Sequence, residues 1–221
     1  MKNSLFWDDT KYIVNNMTQL SKLLILPLIL SCGQIKTQKK TTTEAPVVSK
    51  NTVDASGSGP LQPLFSKARF DSLHSWDFGW AILEPINIAK NEEDEKLLSK
   101  RFTPGQKALY YFWYLDAEVT NGGFIQFYWN GYGKYLPSIM DGLKLIGDSS
   151  MLNLVIKADK EYTANRKKFN LQREKEDWSP LYNNLKKFEE YDHVYYATHD
   201  KTMDLIEKYA REHASEFVKF E

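Results

Sequence analysis

The chain reads as all-α: a compact single-domain multi-helix bundle that follows a signal peptide and a flexible tether. Three observations predict this. Thr103-Pro104-Gly105-Gln106 has the chemistry of a helix start, and apolar residues then recur at helical spacing at Ala108, Phe112, Leu115 and Val119. Helix-stopping residues follow at Asn121-Gly122-Gly123, Asn130-Gly131 and Gly147. No segment after Leu64 alternates apolar and polar residues as a half-buried strand would.

The chain opens on a targeting segment. Leu23 to Leu30 is an eight-residue apolar run preceded by Lys22 and followed by Ser31 and Cys32, the only cysteine. A bilayer-spanning helix needs roughly 20 apolar residues, so the run predicts a secretory signal. Ile29-Leu30-Ser31-Cys32 approximates a lipoprotein processing site, which predicts lipidation of Cys32; the alternative is a secretory signal with an incidental cysteine. Met17 is the expected start, residues 1–16 a spurious upstream extension, and 17–31 the signal peptide. A single thiol excludes an internal disulfide. Two or more acyl chains anchor a protein stably, and Gly33, where an aspartate would favour retention in the inner membrane, favours the outer membrane of a bacterial cell envelope.

From Cys32 to Pro63 the chain is rich in Thr, Lys, Ser, Gly and Pro, as in Thr41-Thr42-Thr43 and Ser56-Gly57-Ser58-Gly59-Pro60. It has too little apolar surface to offset the entropy of ordering, and predicts a tether with an end-to-end distance of roughly 30 Å. Residues 64–221 suit one domain. From Phe65 onward the chain carries 22 Lys and Arg against 25 Asp and Glu, a formal net charge of −3. That balance gives no basic patch for nucleic acid, so no direct nucleic-acid binding is expected.

Within the domain a first helix is expected over Trp76 to Ala89, interrupted near Pro85. Thr103 caps the next, with Pro104 at its first position and Gln106 completing a capping box. It ends at Asn121-Gly122-Gly123. Phe124 to Trp129, Leu136 to Ile146, Ser150 to Tyr162, Leu181 to Ala197 and Lys201 to Phe217 complete the set.

Glu118-Val119-Thr120-Asn121-Gly122-Gly123-Phe124-Ile125-Gln126-Phe127-Tyr128-Trp129-Asn130 is the most distinctive run. Its two glycines predict a tight turn between helices, with Phe124 and Phe127 packed inward and Gln126 or Asn130 capping backbone ends. Glu118 is expected to receive the amides that open the second helix, where the helix dipole favours an anion. In a sharper reading Glu118, Asn121, Gln126 and Asn130 form a polar ligand- or partner-binding cluster.

This run, with Thr103-Pro104-Gly105-Gln106 before it and Leu143-Lys144-Leu145-Ile146-Gly147 after it, resembles the bacterial DNA-mimic-protein-like family (DMP nineteen type). The resemblance covers roughly Trp76 to Phe217. Thr120 and Asp148 stand where the family pattern has Asn and Ala. The resemblance implies a compact helical, non-enzymatic domain; in the founding member an acidic surface engages a DNA-binding transcription factor. DNA carries one negative charge per about 1.7 Å of its axis, and a near-neutral exported domain is a poor copy. A cytoplasmic DNA-mimic regulator follows only if the signal is unused.

Tyr110-Tyr111-Phe112-Trp113-Tyr114 spans more than one helical turn, so part of it is expected at the surface. Trp113, Tyr128 and Trp129 are the candidate aromatic surface, suited to a protein interface or to a glycan or small ligand; the alternative, which the composition favours, is a large aromatic core with a few partly exposed rings. The acidic clusters Glu92 to Glu95, Glu174 to Asp177 and Glu189 to Asp192 are expected to be solvated faces. His193 and His199 are placed at a helix end. Histidine and cysteine spacings give no metal site, and nucleophile-elbow, phosphate-loop and dinucleotide motifs are absent from the sequence. No cofactor is expected, and a protein partner is.

Overall fold

The computed structural model describes residues 59–221. Cys32, the signal segment 17–31, residues 1–16 and the tether up to residue 58 lie outside the described residues. Strand β1 (Leu64–Phe65) is followed by α1 (Lys67–Ser72), α2 (Ser75–Leu83), α3 (Glu92–Leu98) and α4 (Pro104–Trp129). Then come α5 (Leu136–Leu145), α6 (Ser149–Glu174), α7 (Ser179–Asn184), α8 (Lys187–Glu212), α9 (Ala214–Phe217) and β2 (Lys219–Phe220). Among the described residues the protein is therefore all-α apart from one two-residue strand pair, and no helix is long and apolar enough to cross a membrane.

Helix α4 begins as its sequence dictates. The Gln106 amide donates to Thr103 Oγ1 at 3.2 Å, and the Thr103 amide donates to Gln106 Oε1 at 3.1 Å. Helices α2, α5 and α8 pack around it. Tyr110, Tyr111, Phe112 and Trp113 are consequently all buried and Tyr114 half-buried, although their run covers every side of the helix. A helix apolar all round is a buried helix, which corrects the expected aromatic exposure. The approach of α5 is close: a Cβ on Gly142 would lie 2.7 Å from Ala108 Cα.

Several expected boundaries move. Helix α2 stops at Leu83, before a 3₁₀ turn, Glu84–Ile86, that contains Pro85. Helix α6 runs on to Glu174, and Phe169 carries its buried face past Tyr162. The helices expected on either side of residues 198–200 join over Lys187–Glu212 as α8, because Tyr195, Thr202, Met203, Ile206 and Ala210 all face the core and no breaker intervenes. His193 and His199 therefore lie within a helix and not at its end. The outer ends of the expected pair separate instead, as α7 before Leu185 and as α9 after His213.

The ends of the domain meet. Strand β1 pairs parallel with β2, Leu64 opposite Lys219 and Phe65 opposite Phe220. Leu61 is fully buried and its carbonyl accepts from Gln106 Nε2. The folded part thus begins before the expected boundary at Leu64. Arg211 ties α8 to the end of α1, donating to Phe70 O at 2.8 Å and Leu73 O at 2.5 Å, pairing with Glu207 at 2.7 Å and lying over the Phe78 ring at 4.4 Å. A cation at a helix C-terminus satisfies carbonyls left open by the last turn.

Candidate functional site

The Glu118–Asn130 run folds as two helical segments joined by a break at Gly122 (φ −153°, ψ 24°) and Gly123 (φ 72°, ψ −177°). The Gly123 conformation is open essentially to glycine alone. Space enforces the same choice, since a Cβ there would lie 2.2 Å from Asp192 Oδ2. The amide that opens the second segment, that of Phe124, donates to Asp192 Oδ1 at 2.8 Å. An anion therefore sits where the dipole favours one, but it is Asp192 from α8 and not Glu118.

Glu118 does different work. Its Oε2 accepts from Asn130 Nδ2 at 2.8 Å and from Gln126 Nε2 at 3.1 Å, while Gln126 Oε1 accepts from Asn121 Nδ2 at 3.1 Å. The four polar residues are thus brought together, linking the two segments across the break. Gln126 and Asn130 bind side chains here, which corrects the expectation that they cap backbone ends. Glu118 is 3% exposed, and burial raises its carboxyl above the usual range against the pull of the Gln126 and Asn130 hydrogen bonds. Phe124 and Phe127 are fully buried beneath the turn, as their spacing predicts.

Tyrosines from α7 and α8 frame the turn. Tyr182 Oη donates to Gly122 O at 2.7 Å, and Tyr196 Oη donates to Thr120 O at 3.1 Å. Both rings are exposed, as is Asn121. Trp178 lies between Trp129 and Tyr182, with ring centroids 6.3 and 5.6 Å away. Arg173 closes the end of α4 by donating to Tyr128 O at 2.6 Å. Below the rim, Asp116 Oδ1 accepts from Tyr195 Oη at 2.8 Å and pairs with His199 Nε2 at 2.9 Å. The Asp116 carboxylate beside it holds the His199 imidazole above its ordinary range, against burial, with Asp200 adding to it.

The expected aromatic surface is corrected. Trp113 is 4% exposed, packed against Trp76 at 4.0 Å, and Tyr128 is 1% exposed, stacked on Tyr162 at 4.2 Å. Only Trp129 reaches the surface in part. Around the turn the exposed rings are Tyr182 and Tyr196, which sequence reasoning missed because they come within reach only when α7 and α8 fold back on α4. Two acidic residues are also not solvated as expected. Asp192 turns toward the Gly123 break, and Glu95 is 3% exposed and accepts from Tyr135 Oη. Among the described residues no three His, Cys, Asp or Glu side chains gather as a metal site.

The family model for the DMP19-like protein matches residues 100–213. The chain belongs to the DMP19-like family. That match spans the Thr103 capping box, the Gly122-Gly123 break, the polar cluster and the two exposed tyrosines beside it. No curated protein matches the chain significantly. The DMP19-like domain therefore includes α4 through α8 and the α4–α8 interface, whereas α1, α2, α3, α9 and the β1–β2 clip lie outside the matched span.

Proposed function

We propose that the protein is a lipid-anchored, non-enzymatic helical domain that binds a protein partner at the bacterial cell envelope through the face around Asn121. The observation that carries this reading is the pair of exposed tyrosines, Tyr182 and Tyr196, held in place by hydrogen bonds to the backbone of the turn. Rings fixed before contact lose little entropy on binding, and Tyr and Trp are enriched at interface centres. The acidic stretches near this face are mixed with Lys175, Lys186 and Lys187, which supports a protein partner of ordinary charge over imitation of a DNA backbone.

A photo-crosslinking amino acid at position 196, compared with one at the remote exposed position Lys208, tests the face in cells. A discrete adduct from position 196 alone is expected; equal adducts from both positions, or none, would sink the reading. Anchoring at Cys32 is tested by metabolic labelling with a fatty-acid probe. Labelling should be lost in Cys32→Ala, and equal labelling of both chains overturns the anchor.

The half-exposed strip of Trp129, Trp178 and Tyr182 favours a second reading, a glycan-binding module, since such rings stack on sugar faces. Binding to a glycan array that is lost in Trp178→Ala, without a protein adduct from position 196, would select it.

A further inference from the structure

The outer side of α6 carries Lys157, Lys160, Lys167, Lys168 and Lys175, all exposed. Their helical spacing puts them on one face, opposite the buried Met151, Leu154, Val155, Ala158 and Phe169. From Lys157 to Lys175 the row is about 27 Å long, at about 1.5 Å per residue. None of these lysines forms a hydrogen bond or ion pair among the described residues. On neighbouring elements, by contrast, Lys134, Lys144, Lys187 and Lys201 each face a carboxylate. The acids of α6 are set aside from the row. Asp159 and Glu161 are half-buried on its flanks, Glu161 facing Lys187 at 4.0 Å, and Glu174 is the one exposed acid of the helix. Glu176 and Asp177 follow only in the turn beyond Lys175. Ile156 and Leu171, both exposed, are the large apolar members of the same face.

Like charges held along one side of a helix repel one another unless a counter-charge lies against them. The near-neutral total of the domain conceals this segregation. We infer that the outer face of α6 docks on an anionic phospholipid membrane. The ammonium groups lie among the headgroup phosphates, with Ile156 and Leu171 at the boundary with the acyl chains. Charge complementarity identifies the surface, since each lysine near an anionic leaflet strengthens binding by about fivefold. Exposed apolar residues among the lysines fit a headgroup–acyl boundary, whereas a nucleic-acid backbone offers them no partner. Lysine stems suit it too, because they lie along apolar surface while the charge stays in water. Among the exposed residues of α6 none is aromatic, so bases have nothing to stack on. The inference rests on the anchored reading for nearness to a membrane; a tether of roughly 30 Å leaves the bilayer within reach. Docking through α6 fixes the orientation of the domain there.

The test uses the full chain with Cys32→Ala, which lacks the acylation site, so that failure of the anchor and failure of this face show separately. Binding is read by sedimentation with vesicles of equimolar phosphatidylglycerol and phosphatidylcholine, against phosphatidylcholine alone. The apolar run 23–30 and the lysines of the tether are common to every variant, so differences between variants report the domain. A preference for the anionic vesicles is expected, lost in about 1 M salt, where the screening length is about 3 Å. Lys160→Gln, Lys167→Gln and Lys168→Gln together should weaken that binding by at least about tenfold. Glutamine matches lysine in helix propensity, so the fold is kept. The exposed set Lys90→Gln, Lys100→Gln and Lys219→Gln changes the net charge equally and should have little effect. With Cys32 gone, Thr163→Cys can carry a polarity-sensitive fluorophore on the outer face of α6. Its emission should shift to the blue on anionic vesicles, and that of Glu212→Cys should not. Equal binding to both vesicles, equal losses in the two triple variants, or no shift at position 163 overturns the docking. Loss of duplex DNA binding in the α6 variant, with vesicle binding unchanged, assigns the face to nucleic acid and overturns it as well.

Discussion

Asp192 Oδ1 accepts the Phe124 amide hydrogen at 2.8 Å, so a carboxylate from α8 opens a helix that begins 68 residues earlier in the chain. This bond pins the family's glycine turn to the long C-terminal helix.

A pH signature follows from it. Burial pushes the Asp192 carboxyl up to about 6, against the Phe124 amide and His193, which draw it down. An unfolded aspartate titrates near about 3.9. The folded state therefore holds this proton more tightly than the unfolded one. The stability it contributes is fullest below about pH 4 and is lost as the pH rises through about 6. Asp192→Asn should remove this component, so urea midpoints should show the variant gaining on the wild type between pH 4 and 7. Parallel profiles would exclude it.

Glycine 123 and glycine 147 both have positive φ, at 72° and 75°, but only Gly123 is crowded. Gly147→Ala should cost about 1–2 kcal/mol, the ordinary cost of the left-handed conformation. Gly123→Val adds an unfavourable ψ and the collision with Asp192, and should cost on the order of 3 kcal/mol or more. Urea denaturation of both variants checks the ranking, and equal losses would contradict the crowded geometry.

Asn130 donates to a buried carboxylate, so its replacement by an acid should be worse than its removal. Asn130→Ala leaves Glu118 with the Gln126 hydrogen bond and should cost about 1–2 kcal/mol. Asn130→Asp sets a second carboxylate beside the first and should cost more at pH 7, the excess shrinking as acidification protonates the pair. If the two variants melt alike at pH 7, Glu118 is not held as described.

Arg211 joins carbonyls of α1 to a carboxylate and two rings. Arg211→Ala should cost about 3 kcal/mol, and Arg211→Lys should recover less than half, since an ammonium cannot reproduce the planar fork. Recovery of full stability by lysine would show that charge alone matters.

Much of the helical order was legible because its signals are local. Thr103-Pro104-Gly105-Gln106 carries both halves of its capping box within four residues, and Gly123 and Gly147 mark turns that ordinary residues adopt only under strain. The length of α8 was not legible. Its stretch over residues 198–200 lacks a strong helical pattern and is helical because Tyr195 and Thr202 on either side dock on Asp116 and Asp148. Asp148 shows the same limit. It caps α6 through the Met151 amide and accepts from Thr202 of α8. Burial would raise its carboxyl, yet the hydrogen bonds from Ser150, Thr202 and Met151, with Lys201, bring it below the usual range.

By itself the sequence determined the all-α class, the start of α4, the glycine break and the inward packing of Phe124 and Phe127, because caps, breakers and apolar periods act within one or two turns. The tertiary structure decided which acid caps the break, which rings are buried and which tyrosines reach the surface. Those outcomes depend on which helix arrives against which. Trp113 and Tyr128 are buried because α4 is covered on several sides, and Tyr182 and Tyr196 flank Asn121 because α7 and α8 fold back across some 60 to 76 residues of chain.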